Sequence, residues 1–462
     1  LPFLLKHIAG GDRQAAENLL ADLFSRFLGL MLLASVAAYW LMPHLLGFVA
    51  PGFTLAQHLE LLPLARILLL SPLLLGLSNL LANVTQSSRK FFLFALSPVL
   101  YNLGIIFGII FLYPRFGLTG LVWGVVVGAF LHLAIQWPAL RRGLVTLRWP
   151  TIWRSSASSG TREWRKIFRL AWPRTFTLSV NQLATMVLVA LASYLTAGSI
   201  AVFAFAYNLQ SAILSIIGVS YSVAAFPTLV RLFTNGERGP FIQQMAVTIR
   251  HIIFWTAPAM ILFIVLRAQI VRVILGAGKF DWSDTRLTAA ALAVFLLSAV
   301  SQSLILLFVR GYYACGQTKK PLIINVLSSL LVVFLAVGLL RLFGWWPAAK
   351  FGLAHILRVA DIEGVDLLVL PLAFTLGSLV NLFVFWRSFR RDFGPFPPLL
   401  YRSVGQSTVA ALVAGGVAYL ILQLLAPLVD QTTGWGIFIQ GLLAGLGGIL
   451  AGIGVLRRFG NE

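Results

Sequence analysis

The chain has 462 residues, 59% of them hydrophobic and only 11% charged, with a mean hydropathy of +0.91. Soluble domains carry roughly a quarter charged residues. This sequence therefore cannot build a soluble protein's charged shell, which excludes a soluble enzyme, a disordered chain and a fibrous repeat. The single Cys315 excludes an internal disulfide scaffold, and 35 Lys and Arg against 14 Asp and Glu give a formal charge of +21.

A spanning helix takes ~20 apolar residues. In chain order, hydropathy predicts twelve: 25–49, 61–84, 91–113, 117–140, 167–196, 199–227, 248–275, 287–314, 321–343, 366–388, 402–427 and 435–457. The runs are continuous and Leu-rich, not the ~10-residue alternating segments of barrel strands. The expected fold class is an all-α polytopic membrane protein.

Charge alternates between the connecting segments. With the N-terminus in the cytoplasm, the inside segments carry 25 Lys and Arg and the outside segments 8, leaving Arg66 and Arg174 within spans. Positive residues concentrate on the cytoplasmic side, so both termini are expected there. The same bias accounts for the net charge without a nucleic-acid partner, and it favours anionic lipid at the inner leaflet.

The chain also repeats itself. LPFLLKHIAGGDR (1–13) matches FPTLVRLFTNGER (226–238), VAPGFT (49–54) matches GAGKFD (276–281), and SSRKF (87–91) matches QTKKP (317–321). Gly128, His132 and Arg141-Arg142 fall opposite Gly377, Asn381 and Arg390-Arg391, which implies an insertion near 344–365 in the second copy. Both copies carry positive charge on the same side, so the repeats are parallel. The second copy has two helices before its FPTLVR segment, whereas the first copy starts at Leu1. Symmetry thus predicts about two further helices upstream. The expected organisation is a first bundle over 1–142, here with four helices, a basic cytoplasmic linker over 143–166, a six-helix bundle over 167–391, and a terminal helix pair over 392–462.

Five phrases carry a family resemblance: FALSPVLYNLGIIFGIIFLYP (94–114), GLVWGVVVGAFLHLAIQWPALRRG (120–143), LAWPRTFTLSVNQL (170–183), IGVSYSVAAFPTLVRL (217–232) and LGAGKFDWSDT (275–285). Together with two parallel bundles and a terminal pair, the chain resembles the MurJ/MviN-type lipid II flippases. These belong to a superfamily shared with multidrug extruders and polysaccharide flippases. The resemblance implies alternating access in a bacterial inner membrane and movement of an undecaprenyl-pyrophosphate-linked disaccharide-pentapeptide to the outer leaflet. It implies lipid II or a similar polyprenyl-pyrophosphate glycolipid, membrane lipids and other peptidoglycan-synthesis proteins as partners. Asn208 stands where the family has a cavity arginine after an Ala-Asp step. Leu188 stands where some members carry an acidic or amide residue.

Polar groups inside spans are costly and are functional candidates by default. A pyrophosphate head needs cations or hydrogen-bond donors along its path. Arg174, about eight residues into its helix and next to Pro173, is the first candidate; a snorkelling arginine is the alternative. Thr177 and Asn181 follow at helical spacing, with Gln182 next to Asn181. Asn208 and Gln210 lie mid-span on the next helix, and Asn102 and Gln302 complete the set, each readable as cavity lining or interhelical bonding. Gly104 and Gly108, with Gly441, Gly445, Gly448 and Gly452, read as packing positions. Lys279, Asp281, Asp284 and Arg286 read as a solvated, salt-bridged outer loop. The six histidines show no metal-ligand spacing, and there is no P-loop or carboxylate pair for glycosyl transfer. A transporter without metal or cofactor is expected, not an enzyme. A related glycan or drug exporter and a non-transporting scaffold of cell-wall synthesis remain open alternatives.

Overall fold

The computed structural model describes residues 13–87, 91–137, 175, 179, 182–430 and 433–459. Every regular element among them is helical. The chain divides into two compact units, Leu1–Thr175 and Phe176–Glu462.

In the first unit, α1 (Arg13–Val49) ends before a turn that leads to Thr54. Thr54 caps α2 (Leu55–Leu68): its hydroxyl accepts from the Gln57 amide, and its own amide donates to Gln57 Oε1 at 2.8 Å. After a break at Leu69, α3 (Leu70–Ser87) follows, and Leu55–Ala82 is apolar enough to cross as one span. α4 (Phe91–Phe107) loosens into a π-helical turn, Gly108–Leu112, and a short α5 (Tyr113–Phe116). Gly117, at φ +57°, reverses the chain into α6 (Leu118–Ala134).

α4 and α6 meet backbone to backbone. A β-carbon at Gly104 would fall 2.3 Å from Gly128 Cα, and one at Gly108 2.4 Å from Gly124 Cα. Glycines every fourth residue on both helices thus form a seam that no side chain could enter.

The second unit opens with α7 (Gln182–Ala192). α8 (Ser199–Ile213), a π-helical turn over Leu214–Val219, and α9 (Ser220–Thr234) make one apolar run. There follow α10 (Arg238–Val265), α11 (Arg267–Leu275), α12 (Trp282–Leu296), α13 (Ala299–Ala314), α14 (Lys319–Trp345) and α15 (Pro347–Leu357). α16 (Val369–Phe393), α17 (Pro398–Leu425) and α18 (Gly434–Arg458) complete it.

Each of the twelve expected spans holds a helix. Among the described residues, nine helices are long and apolar enough to cross alone, and ten if the bent pair α12–α13 counts once. Leu118–Ala134 and Gln182–Ala192 are shorter apolar helices. Two expectations need correction. The 248–275 segment is not one helix: α10 starts at Arg238 and stops at Val265, where Arg267 Nη1 caps the Ile264 carbonyl at 3.0 Å and α11 begins. The 287–314 segment bends by 42° at Leu297–Ser298 without a proline. There the buried Ser298 hydroxyl takes the Phe295 carbonyl at 2.7 Å, satisfying a group that the break would leave bare.

Among the described residues two large apolar cores lie in this unit, with smaller clusters where α17 and α18 meet α10 and α11. One gathers Phe203, Tyr207, Phe295 and Phe374 with Leu188 and Ala290 from α7, α8, α12 and α16. The other stacks Phe241, Phe308, Tyr312, Phe385 and Phe389 from α10, α13 and α16. α18 lies on α17 through a small-residue surface, where a β-carbon at Gly448 would fall 2.7 Å from the Ala414 carbonyl oxygen. Aromatic stacking contributes ~0.5–1.5 kcal/mol per pair beyond burial, so these ladders fix helix register as well as filling space.

Candidate functional site

Three of the expected site residues, Arg174, Thr177 and Asn181, lie outside the described residues. Gln182 is exposed at the start of α7. Asn102 is exposed on α4, and Asn208 is exposed on α8. Gln210 is buried at 2% exposure, and its amide nitrogen has no hydrogen-bond partner among the described residues. Two positions apart on a helix lie about 200° apart, so Asn208 and Gln210 cannot serve one face. Leu188 is fully buried in the first apolar core. No group of three or more metal-ligating side chains occurs among the described residues.

Gln302 on α13 meets a polar row on α16. Thr375, Ser378 and Asn381 follow at three-residue spacing, on one stripe of that helix. Thr375 donates to the Val294 carbonyl of α12 at 2.8 Å, Gln302 of α13 donates to Ser378 at 2.5 Å, and Asn381 donates to Asn325 of α14 at 3.3 Å. One stripe therefore bonds three different helices. The Gln302 amide is engaged in that interhelical bonding, the second of the two readings its position allowed. At the end of the same helix, Asp392 accepts from the Tyr312 hydroxyl at 2.8 Å and from the Lys320 ammonium.

The first unit holds a polar cluster that sequence reading did not assemble. The fully buried Ser78 hydroxyl lies 2.7 Å from His132 Nδ1, and Gln136 Nε2 donates to the same hydroxyl at 2.5 Å. Thr85 adds a bond to Gln136 Oε1 at 3.4 Å, and the Tyr101 ring meets the imidazole edge-on. Ser78 and Thr85 are seven residues apart on α3, while His132 and Gln136 are four apart across the end of α6. Each pair shares a helix face. Those spacings were the available signal; the pairing of the two faces was not. The arrangement is a donor–acceptor chain able to hold one position of the imidazole proton. Near the N-terminal end of α1, buried Asp22 bonds Arg26 Nε at 2.8 Å.

The outer-loop cluster is organised differently from expectation. Asp281 and Asp284 form a capping box for α12: Asp281 Oδ1 accepts from the Asp284 amide at 2.8 Å and from Ser283 at 2.7 Å. The Ser283 hydroxyl, then the Asp284 amide, hold the Asp281 carboxyl below its usual value. Arg286 leaves that group and grips Asp361 with two bonds of 2.7 Å, while also donating to the Arg358 carbonyl at 2.5 Å. Arg358 is the one non-glycine residue at positive φ (61°) among the described residues, ending α15 in the left-handed conformation. The guanidinium thus caps a helix end as well as pairing a charge, and its hydrogen bond holds the Asp361 carboxyl below its ordinary range. Beside this pair lies a cavity of about 620 Å³, into which Thr196, Ser199, Asp284 and Glu363 also face.

The family model described as "Lipid II flippase MurJ" matches residues 1–433. A probable lipid II flippase MurJ of Buchnera aphidicola (from Acyrthosiphon pisum) is 24% identical over 339 residues, 72% of this chain and 64% of its own length. One from Rhizobium tropici is 26% identical over 333 residues, 70% and 61%. One from Borreliella burgdorferi is 27% identical over 346 residues, 71% and 66%. The chain therefore spans just under two thirds of the length of these relatives. A solved structure of lipid II flippase MurJ, inward closed, superposes with a TM-score of 0.71 at 19% identity, over 98% of this chain and 87% of that one. An inward-facing multidrug MATE transporter gives 0.69 at 16% identity, over 86% and 85%. These likenesses show the fold, an all-helical bundle of apolar helices long enough to cross a membrane. The family match extends over nearly the whole sequence, and the chain belongs to the MurJ lipid II flippase family.

Proposed function

We propose that the chain moves lipid II, an undecaprenyl-pyrophosphate-linked peptidoglycan precursor, from the inner to the outer leaflet of a bacterial inner membrane by alternating access, with both termini cytoplasmic. The observation that carries this reading is the MurJ family match over residues 1–433, joined to a helical membrane fold. The charge asymmetry of the loops supports the orientation. In this reading Arg174, Thr177 and Asn181 form a polar ladder for the pyrophosphate-sugar head, with Gln182 beside it and Asn208 and Asn102 as further polar positions. Residues 1–142 and 167–391 act as the two moving bundles, joined by the basic segment 143–166, and 392–462 is an accessory pair. No bond is made or broken in the substrate; the protein shields a charged head from ~30 Å of hydrocarbon.

Depletion in the host tests the proposal. Lipid II is expected to accumulate on the inner leaflet while the outer-leaflet pool falls. An unchanged outer-leaflet pool would refute it.

A further inference from the structure

α10 changes character half way along. Its first half carries Gln243, Gln244 and Thr248, whereas the fourteen residues Ile252 to Val265 contain no charged side chain. Arg250 and His251 stand at the junction. Trp255, one turn further, is 53% exposed, and Tyr401 near the start of α17 is 49% exposed. Amphipathic aromatics gather at the membrane–water boundary, so this junction sits at headgroup level.

A cavity of about 460 Å³ opens there between α9, α10 and α17, lined by Tyr221, Arg250, His251, Trp255, Ser403 and Ser407 among others. Ser403 and Ser407 are one turn apart on α17, and both are buried. Serines inside helices ordinarily bond back to a carbonyl of the preceding turn, as Thr408 does to Val404 at 2.9 Å on this same helix. Neither Ser403 nor Ser407 makes such a bond, and Arg250 has no carboxylate partner among the described residues. No acidic residue lines the cavity. The site thus presents a guanidinium and two unused hydroxyls, with no carboxylate to pair with a choline or ethanolamine ammonium.

We propose that this cavity binds the phosphate of an anionic membrane phospholipid. The Arg250 guanidinium takes two phosphate oxygens, and Ser403 and Ser407 donate to the remaining ones. Tyr221 and Trp255 flank the glycerol and the first methylenes. The absence of a carboxylate sets the preference for anionic over zwitterionic headgroups. The proposal is independent of the substrate assigned above: it concerns a resident lipid at the edge of the second unit.

The test is native mass spectrometry of the full purified chain, titrated with phosphatidylglycerol and with phosphatidylcholine. Phosphatidylglycerol is expected to be retained severalfold more than phosphatidylcholine. Arg250→Gln should lower its retention about fivefold, the weight of one basic group against an anionic lipid, and lower that of phosphatidylcholine, whose phosphate charge is balanced by its own ammonium, by less. Arg250→Lys should keep most of the binding. The Ser403→Ala/Ser407→Ala double variant, which adds no volume, should lower retention at an unchanged melting temperature. Equal retention of both lipids, or full retention in Arg250→Gln and the double variant, overturns the proposal. Displacement by inorganic phosphate would make it a free-anion site. Displacement by a polyprenyl pyrophosphate at lower concentration than phosphatidylglycerol would make it part of the substrate path. Either result also overturns it.

Discussion

Gly128→Ala tests the seam between α4 and α6. The new methyl would sit 2.3 Å from the Tyr101 carbonyl oxygen. A comfortable carbon–oxygen contact is ~3.3 Å, so the two helices must separate by ~1 Å at that level. The obstacle is backbone, which cannot turn aside as a side chain would. Overpacking of this kind costs ~1–3 kcal/mol, and the upper end applies here. Parting the helices also thins contacts along the rest of the seam, at Gly104–Gly128 and Gly108–Gly124. Against this, Ala is favoured over Gly in a helix by ~1 kcal/mol. The net expectation is a loss of ~2 kcal/mol. Gly29 on α1 is the internal control, because nothing lies within 4 Å of its missing β-carbon. Gly29→Ala keeps only the propensity term, a gain of up to ~1 kcal/mol. Thermal melting of the purified protein in detergent should therefore move down for Gly128→Ala and level or up for Gly29→Ala. If Gly128→Ala melts at or above the parent temperature, the backbone seam is not what holds these helices.

Three further outcomes follow from the polar groups. Ser78→Ala strips the hydroxyl shared by His132 and Gln136 and should destabilise the first unit by ~1–3 kcal/mol in a melting assay, the cost of unsatisfied buried polar groups; an unchanged melting temperature would refute the network. The Asp361 carboxyl is held low by Arg286, so its contribution to the folded state is present above the ordinary carboxylate value and disappears only as pH falls through the depressed one. The protection factor of amides at the end of α15, exchange divided into its pH-dependent intrinsic rate, should accordingly be flat between pH 5 and 8 in the parent and lower throughout in Arg286→Gln; loss of protection already at pH 5 in the parent would contradict this. Burial pushes the Cys315 thiol up to about 12, so maleimide labelling at pH 8 should run at least about a thousandfold slower than for an unhindered cysteine; rapid labelling of the folded protein would count against that burial.

Much of this architecture was written in local pattern. Continuous apolar runs predicted twelve helices, and four-residue glycine spacing predicted the packing at Gly104 and Gly108, because both signals live within one helix. The breaks at Leu266 and Leu297 were hidden. They depend on where the Arg267 and Ser298 side chains turn back to bond carbonyls, and hydropathy does not register that. The Arg286–Asp361 grip was hidden for a different reason. Its partners are 75 residues apart, and the acid sits in a connection whose path no periodicity reveals. For the Ser78–His132–Gln136 cluster the faces were legible but their apposition was not. Membrane helices are apolar on most sides, so an isolated polar residue does not announce which neighbour it meets.

Transport is tested most directly by reconstituting the purified protein in liposomes with headgroup-labelled lipid II and, in parallel, a headgroup-labelled phospholipid. Labelled lipid II should cross at a protein-dependent rate, seen as loss of label to a membrane-impermeant quencher, while the phospholipid stays in its leaflet. Failure of lipid II to cross, or equal crossing of both lipids, would contradict the proposed function.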